Sequence, residues 1–69
     1  MTQASQFPTL PQLLRRPIVE QVTGLSRSSI YAMMATGQFP QPVRIGARAV
    51  AWRSDEIADF VDSRARRAA

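Results

Sequence analysis

The sequence contains no cysteine and no histidine. Disulfide staples, thiolate zinc sites and imidazole catalysis are therefore excluded, and a reducing compartment is allowed. Lysine is absent as well: all nine cationic side chains are arginine, set against five acids. No apolar run approaches the ~20 residues of a membrane span, and the N-terminus lacks the basic start and apolar stretch of a secretory signal. Glycine occurs three times, each time where a helix should stop or a hairpin should turn. At 69 residues the chain has room for one domain with a small core and none for a separate catalytic domain. With so little nucleophilic or acid–base material, the expectation is a protein that is not an enzyme, with no catalytic residue, no metal and no cofactor.

What is present is charge in one place. Residues 1–12 carry no charged side chain. Between Leu13 and Arg53 stand six arginines (Arg15, Arg16, Arg27, Arg44, Arg48, Arg53) against Glu20 alone, whereas from Ser54 onward four acids face three arginines. The guanidinium fork fits phosphate oxygens and guanine edges, so this surplus suits a nucleic acid, though a solvated basic surface would read the same way.

Residues 1–12, polar and holding Pro8 and Pro11, read as a flexible arm ahead of a single domain over residues 13–66. Leu13-Leu14-Arg15 reads as a short extended piece. A first helix is predicted from Pro17, where the missing N–H costs nothing, to Thr23, with Val19 and Val22 on its inner face. Gly24 ends it in a left-handed conformation, and Leu25 is the buried residue of the turn. Ser26 caps a second helix of about ten residues, with Ile30, Met33 and Met34 inward and Gly37 as its stop. Phe39-Pro40-Gln41-Pro42 keeps the chain extended. The alternation that follows predicts a two-stranded hairpin turning at Gly46-Ala47. In it Val43 opposes Val50, Ile45 and Trp52 share their face, and Arg44 points the other way. A third helix starts at a Ser54 cap, with Asp55 and Glu56 in its first turn, a core stripe of Ile57, Phe60 and Val61, and arginines in its last turn. Trp52 belongs to the core, and the acids of the third helix form a solvated face.

Thr23-Gly24-Leu25-Ser26-Arg27-Ser28-Ser29-Ile30-Tyr31 is thus a helix-turn-helix pattern whose second helix opens with small polar and cationic groups. Together with Gly37-Gln38-Phe39-Pro40-Gln41-Pro42-Val43-Arg44-Ile45-Gly46, then Val50-Ala51-Trp52 and the helix from Ser54, the order resembles the AlpA-type prophage regulators and related small excisionases. The likeness covers roughly residues 13 to 64. It implies a mainly α fold with a small two-stranded β wing, the winged helix-turn-helix shared with the MerR group. It also implies a bacterial or phage DNA-binding regulator, cytoplasmic and nucleoid-associated. Members activate or repress integrase and neighbouring promoters, or help excise an integrated element by bending DNA. Ala32 departs from the pattern, since many members carry a basic residue there, and one phosphate contact drops out of the expectation.

The candidate DNA-binding residues are Ser26, Arg27, Ser28, Ser29, Tyr31, Arg44, Arg48 and Arg16. Arg27 would meet a guanine edge or a phosphate, and Ser28 and Ser29 would donate to either or simply start the helix. Tyr31 reads as a boundary residue, its ring packed beside the helix and its hydroxyl near a phosphate. Arg44 and Arg48 would carry the wing to the backbone or a narrow minor groove. Arg15 and Arg16, just ahead of the first helix, would grip phosphate, and Arg53 would do so or pair with an acid. The expected partner is double-stranded DNA. A single module reads few base pairs and no heptad helix is present, so cooperative side-by-side self-association is expected. A rival reading is a protein-interaction module that binds an integrase or a response regulator through the acidic face of the third helix.

Overall fold

A computed structural model describes residues 10–65. The elements follow in the order β1 (Leu13–Leu14), α1 (Arg16–Thr23), α2 (Arg27–Ala35), β2 (Val43–Arg44), β3 (Val50–Arg53) and α3 (Ser54–Ala65). Three helices and a small antiparallel sheet make a helix-turn-helix with a wing. Of the arm read over residues 1–12, residues 1–9 lie outside the described residues. Gln12 is held: its N–H donates to Ser54 Oγ at 2.7 Å, and its carbonyl accepts from the Ser54 N–H at 2.7 Å. Ser54 is the first residue within α3, and its hydroxyl ties the start of β1 to the start of α3 instead of making the predicted cap bond.

Local chemistry explains the two helices of the turn. Arg15 is the extended residue before α1, and Pro17 sits in its first turn. The helix begins one residue earlier than predicted, so Arg16 lies within it and not ahead of it. Gly24 ends α1 at φ 77°, its N–H donating to the Glu20 carbonyl. A β-carbon at that φ would be strained, which is why glycine stands here. The Thr23 hydroxyl donates to the Val19 carbonyl at 2.8 Å and accepts from the Leu25 N–H at 3.2 Å, which fixes the direction in which the chain leaves. Ser26 then caps α2, its Oγ accepting from the Ser29 N–H at 3.2 Å. At the far end Gly37 N–H donates to Met34 O and Gln38 N–H to Met33 O, the Schellman pair, with Gly37 at φ 76°.

Val19 is fully buried, but Val22 is 50% exposed, so the predicted inner face of α1 narrows to Val19. Val22 lies 60° round the helix from Val19, and α1 meets α3 and β3 along a thinner line than two valines would need. Leu25 is half-buried against the core, not enclosed.

The sheet differs from the predicted hairpin in two ways. First, it has three strands in the order β1-β3-β2, because β1 adds to the free edge of β3 with Leu13 opposite Arg53 and Leu14 opposite Trp52. Second, Val43 faces Ala51 and Arg44 faces Val50, one residue away from the predicted pairing. Directly opposed residues share a face. Arg44 is therefore on the side of Val50 and Trp52, while Val43 and Ile45 fall on the other side with Ala51. The cause is Gly46. A two-residue hairpin loop needs positive φ at its first position, and only Gly24 and Gly37 have it among the described glycines. The chain instead turns over three residues, 46–48, closed by Ile45 N–H to Ala49 O at 2.9 Å.

The core is Val19, Ile30, Phe39, Trp52 and Ile57, flanked by Leu14, Leu25, Met33, Met34, Phe60 and Val61. Trp52 is fully buried, and its indole N–H donates to the Pro40 carbonyl at 2.9 Å. Phe39, which the sequence marked only as part of an extended segment, is a core residue. It meets Trp52 edge-on at 6.4 Å and Phe60 at 4.8 Å between ring centroids. A domain of this size has a total stability of about 3–10 kcal/mol. Truncating a buried tryptophan costs about 3–5 kcal/mol. Trp52→Ala is expected to abolish most folded protein at 25 °C in urea titrations followed by circular dichroism. Val22→Ala should shift the free energy by less than ~0.5 kcal/mol; equal effects of the two would contradict this packing.

Candidate nucleic-acid interface

The outer face of α2 is polar, cationic and small. Ile30 is buried and Met33 and Met34 are half-buried inward, while Arg27, Ser28, Tyr31, Ala32 and Ala35 are exposed. The first turn of any helix leaves N–H groups without intrahelical partners and a partial positive charge. In α2 no acid occupies that turn, whereas Asp55 and Glu56 occupy it in α3. The amino end of α3 is thus compensated from within the chain, and that of α2 remains open to an anion. Small Ser28, Ala32 and Ala35 would let the helix backbone come close to a groove wall.

Arg27 and Tyr31 stand one turn apart, and the Arg27 guanidinium lies over the Tyr31 ring, 5.8 Å from its centroid. Tyr31, expected as a boundary residue, is 41% exposed, and its ring also forms a platform for a cation. The i, i+4 spacing of an arginine and a tyrosine carried this signal in the sequence. Ser29 is half-buried and bound into the cap, where the Ser26 hydroxyl donates to Ser29 Oγ at 3.1 Å. Both serines hold the helix start in place, and Ser28 is the one whose side chain projects outward.

The remaining arginines divide into engaged and open ones. Arg16 pairs with Glu20 at 2.8 Å along α1, the i, i+4 spacing again. Arg53 grips Asp55 through two hydrogen bonds of 3.1 and 2.7 Å. That contact raises the Arg53 pKa above its ordinary value, chiefly through the hydrogen bond. It also holds the Asp55 carboxyl below the usual carboxylate range for the same reason. Arg64 lies over the Phe60 ring at 4.8 Å. Among the described residues Arg15, Arg27, Arg44 and Arg48 make no ion pair. Arg44 is exposed on β2, Arg48 is exposed in the 46–48 loop, and Arg15 precedes α1. No group of three or more His, Cys, Asp or Glu able to hold a metal occurs among the described residues, nor a helix long and apolar enough to cross a membrane.

A helix-turn-helix with an open-ended, arginine-bearing second helix and a small wing is the architecture of a compact regulator. Residues 12–65 match the family described as Prophage CP4-57 regulatory protein (AlpA), and the chain belongs to that family. It is a family of regulators rather than of enzymes. The chain is also 39% identical over 56 residues to "Uncharacterized protein ORF88" of Enterobacteria phage P4. That match covers 81% of this chain and 64% of the phage protein, so the chain spans somewhat under two thirds of that relative's length. No solved structure matches.

Two outcomes follow from this geometry. Ser26→Ala removes the cap of α2 and should lower stability by about 1 kcal/mol in thermal or urea unfolding; no change would mean the cap bond is idle. Asp55 has a depressed folded-state pKa, so its contribution is present above the ordinary carboxylate range and is lost as pH falls through the depressed value. Asp55→Asn should flatten the acid limb of the stability profile; an unchanged limb would show that the pair contributes nothing.

Proposed function

We propose that this protein is a sequence-selective double-stranded DNA-binding regulator acting at a prophage or integrase gene. The observation that carries the reading is the α2 amino end: uncompensated by any acid, exposed, and fronted by Arg27 and Ser28. In this reading α2 enters the major groove with its first turn leading. Arg27, steadied by Tyr31, directs its fork at a guanine edge, and Ser28 and the free N–H groups of the first turn take a phosphate. Arg44 and Arg48 on the wing and Arg15 before α1 hold the flanking backbone, which sets register without reading sequence. Arg16 is dropped from the contact set, because Glu20 already holds it. The same contacts would serve transcriptional control and excisionase-like shaping of an attachment site.

The number of open arginines sets the salt dependence. Four phosphate contacts give a log–log slope on the order of −4, whereas all six arginines of residues 13–53 would give about −5. Electrophoretic mobility shift with DNA flanking the gene, repeated over a salt series, measures it. Arg27→Ala should cost about 1–3 kcal/mol on the preferred site and narrow the preference over random DNA. Arg44→Ala should weaken all sequences alike and reduce the slope by about one unit. Binding to specific DNA that is untouched by Arg27→Ala with Ser28→Ala would rule out α2 as the reading element.

A further inference from the structure

A surface groove of about 820 Å³ separates the segment after α2 from α3. Phe39, Pro40, Pro42 and Phe60 form its apolar walls, and Glu56 and Asp59 stand on it. Glu20 and Asp55 are each paired with an arginine, whereas Glu56, Asp59 and Asp62 make no ion pair among the described residues, and of these three Glu56 and Asp59 line the groove. The groove therefore combines aromatic and proline faces with two carboxylates that make no ion pair among the described residues. That is the chemistry a guanidinium takes: its plane stacks on a ring while its edge forks onto a carboxylate. Arg64 already shows the first half of it, lying over Phe60 from within the same copy.

We propose that the groove receives the arginine-bearing segment that follows α3 in a second copy of the chain, through Arg66 and Arg67. Charge complementarity selects this occupant. After Asp62 the sequence has three arginines and no acid, while four of its five acids lie between Asp55 and Asp62. Negative and positive charge are thus segregated along the sequence. From Glu56 to Ala65, the last residue of α3, is about 13 Å of helical rise, and Arg66 and Arg67 follow in the sequence, outside the described residues. The contact joins unlike surfaces. A contact of that kind repeats into an open row unless its rotation closes a ring. A row gives a module that reads few base pairs a longer footprint. The interface does not use the α2 face and forms without DNA, so it stands or falls separately from the DNA-binding reading.

Sedimentation equilibrium of the free protein tests it, up to about 1 mM protein in about 0.05 M salt, where screening is weak. The wild type should show a mean mass that rises with concentration beyond that of a dimer and falls back in high salt. Glu56→Gln with Asp59→Asn should stay monomeric, and so should Arg66→Gln with Arg67→Gln. An equal mixture of the two variants retains one good groove and one good end, so it should form dimers and nothing larger. Far-UV circular dichroism checks the fold. The single variants Glu56→Gln and Asp59→Asn, each weakening association several-fold, replace the double variant if it unfolds. A wild type that stays monomeric, a variant that associates undiminished, or a mixture that stays monomeric or grows past dimers would each overturn the proposal.

Discussion

The burial of Trp52 is the contact on which the other elements depend. Its strand lies in the middle of the sheet, its ring packs with Val19, Ile30 and Ile57, and its indole N–H fixes Pro40. Through Pro40 it also sets Phe39, which in turn meets Phe60 on α3. One side chain thereby links both helices of the turn, the segment that follows them, the wing and α3. Burying a tryptophan removes about 150–250 Å² from water, worth about 4–6 kcal/mol at 25 cal/mol per Å². An exposed pair such as Arg16–Glu20 or Arg53–Asp55 contributes at most ~1 kcal/mol. In a chain without disulfides, the core decides the shape. The ion pairs decide only which arginines stay open.

That division matters for recognition. Arginine is the sole cation here, so its surplus alone would suggest a uniformly basic surface. The structure sorts it. Arg16 and Arg53 are neutralised by acids close in sequence, at spacings of four and two residues. Arg27 is raised onto Tyr31, and Arg44 and Arg48 sit on the wing. Helix polarity reinforces the sorting. Acids stand at the amino end of α3 and are missing from that of α2. Each amino end carries the same kind of partial charge, and the sequence sets acids against that of α3 and none against that of α2.

Features fixed by near neighbours were legible in the sequence. Gly24, Ser26 and Gly37 act through bonds that span a few residues, and the ends of α1 and α2 fell where those residues indicated. The same holds for the inward set of Ile30, Met33 and Met34, the core place of Trp52 and the stripe of Ile57, Phe60 and Val61. What failed was set at a distance. The short extended piece at Leu13-Leu14 was legible, but not its pairing, which exists because β3 offers a free edge and Ser54 holds Gln12. The register slipped because Gly-Ala admits both two- and three-residue loops, and the backbone at Gly46 decides between them. Val22 was misplaced because helical spacing does not say how wide a stripe the neighbours cover. Phe39 was missed because prolines on its far side suggested only extension. The groove beside α3 had no signal at all, since its two walls come from segments about fifteen residues apart.

The extent of the family match has a physical counterpart. The shared region begins at residue 12 and ends at residue 65. Residue 12 is Gln12, whose backbone bonds in both directions to Ser54, and residue 65 closes α3. The region common to the family is therefore the region that this sheet edge and this helix close off. Within it, the same Ser54 that holds Gln12 starts the helix whose acids compensate its own amino end. The fold places that compensated helix behind the core and leaves the uncompensated α2 with its outer face uncovered. The amino end of α2, capped by Ser26 but without an acid and fronted by the unpaired Arg27, is the end at which the fold favours a negative charge.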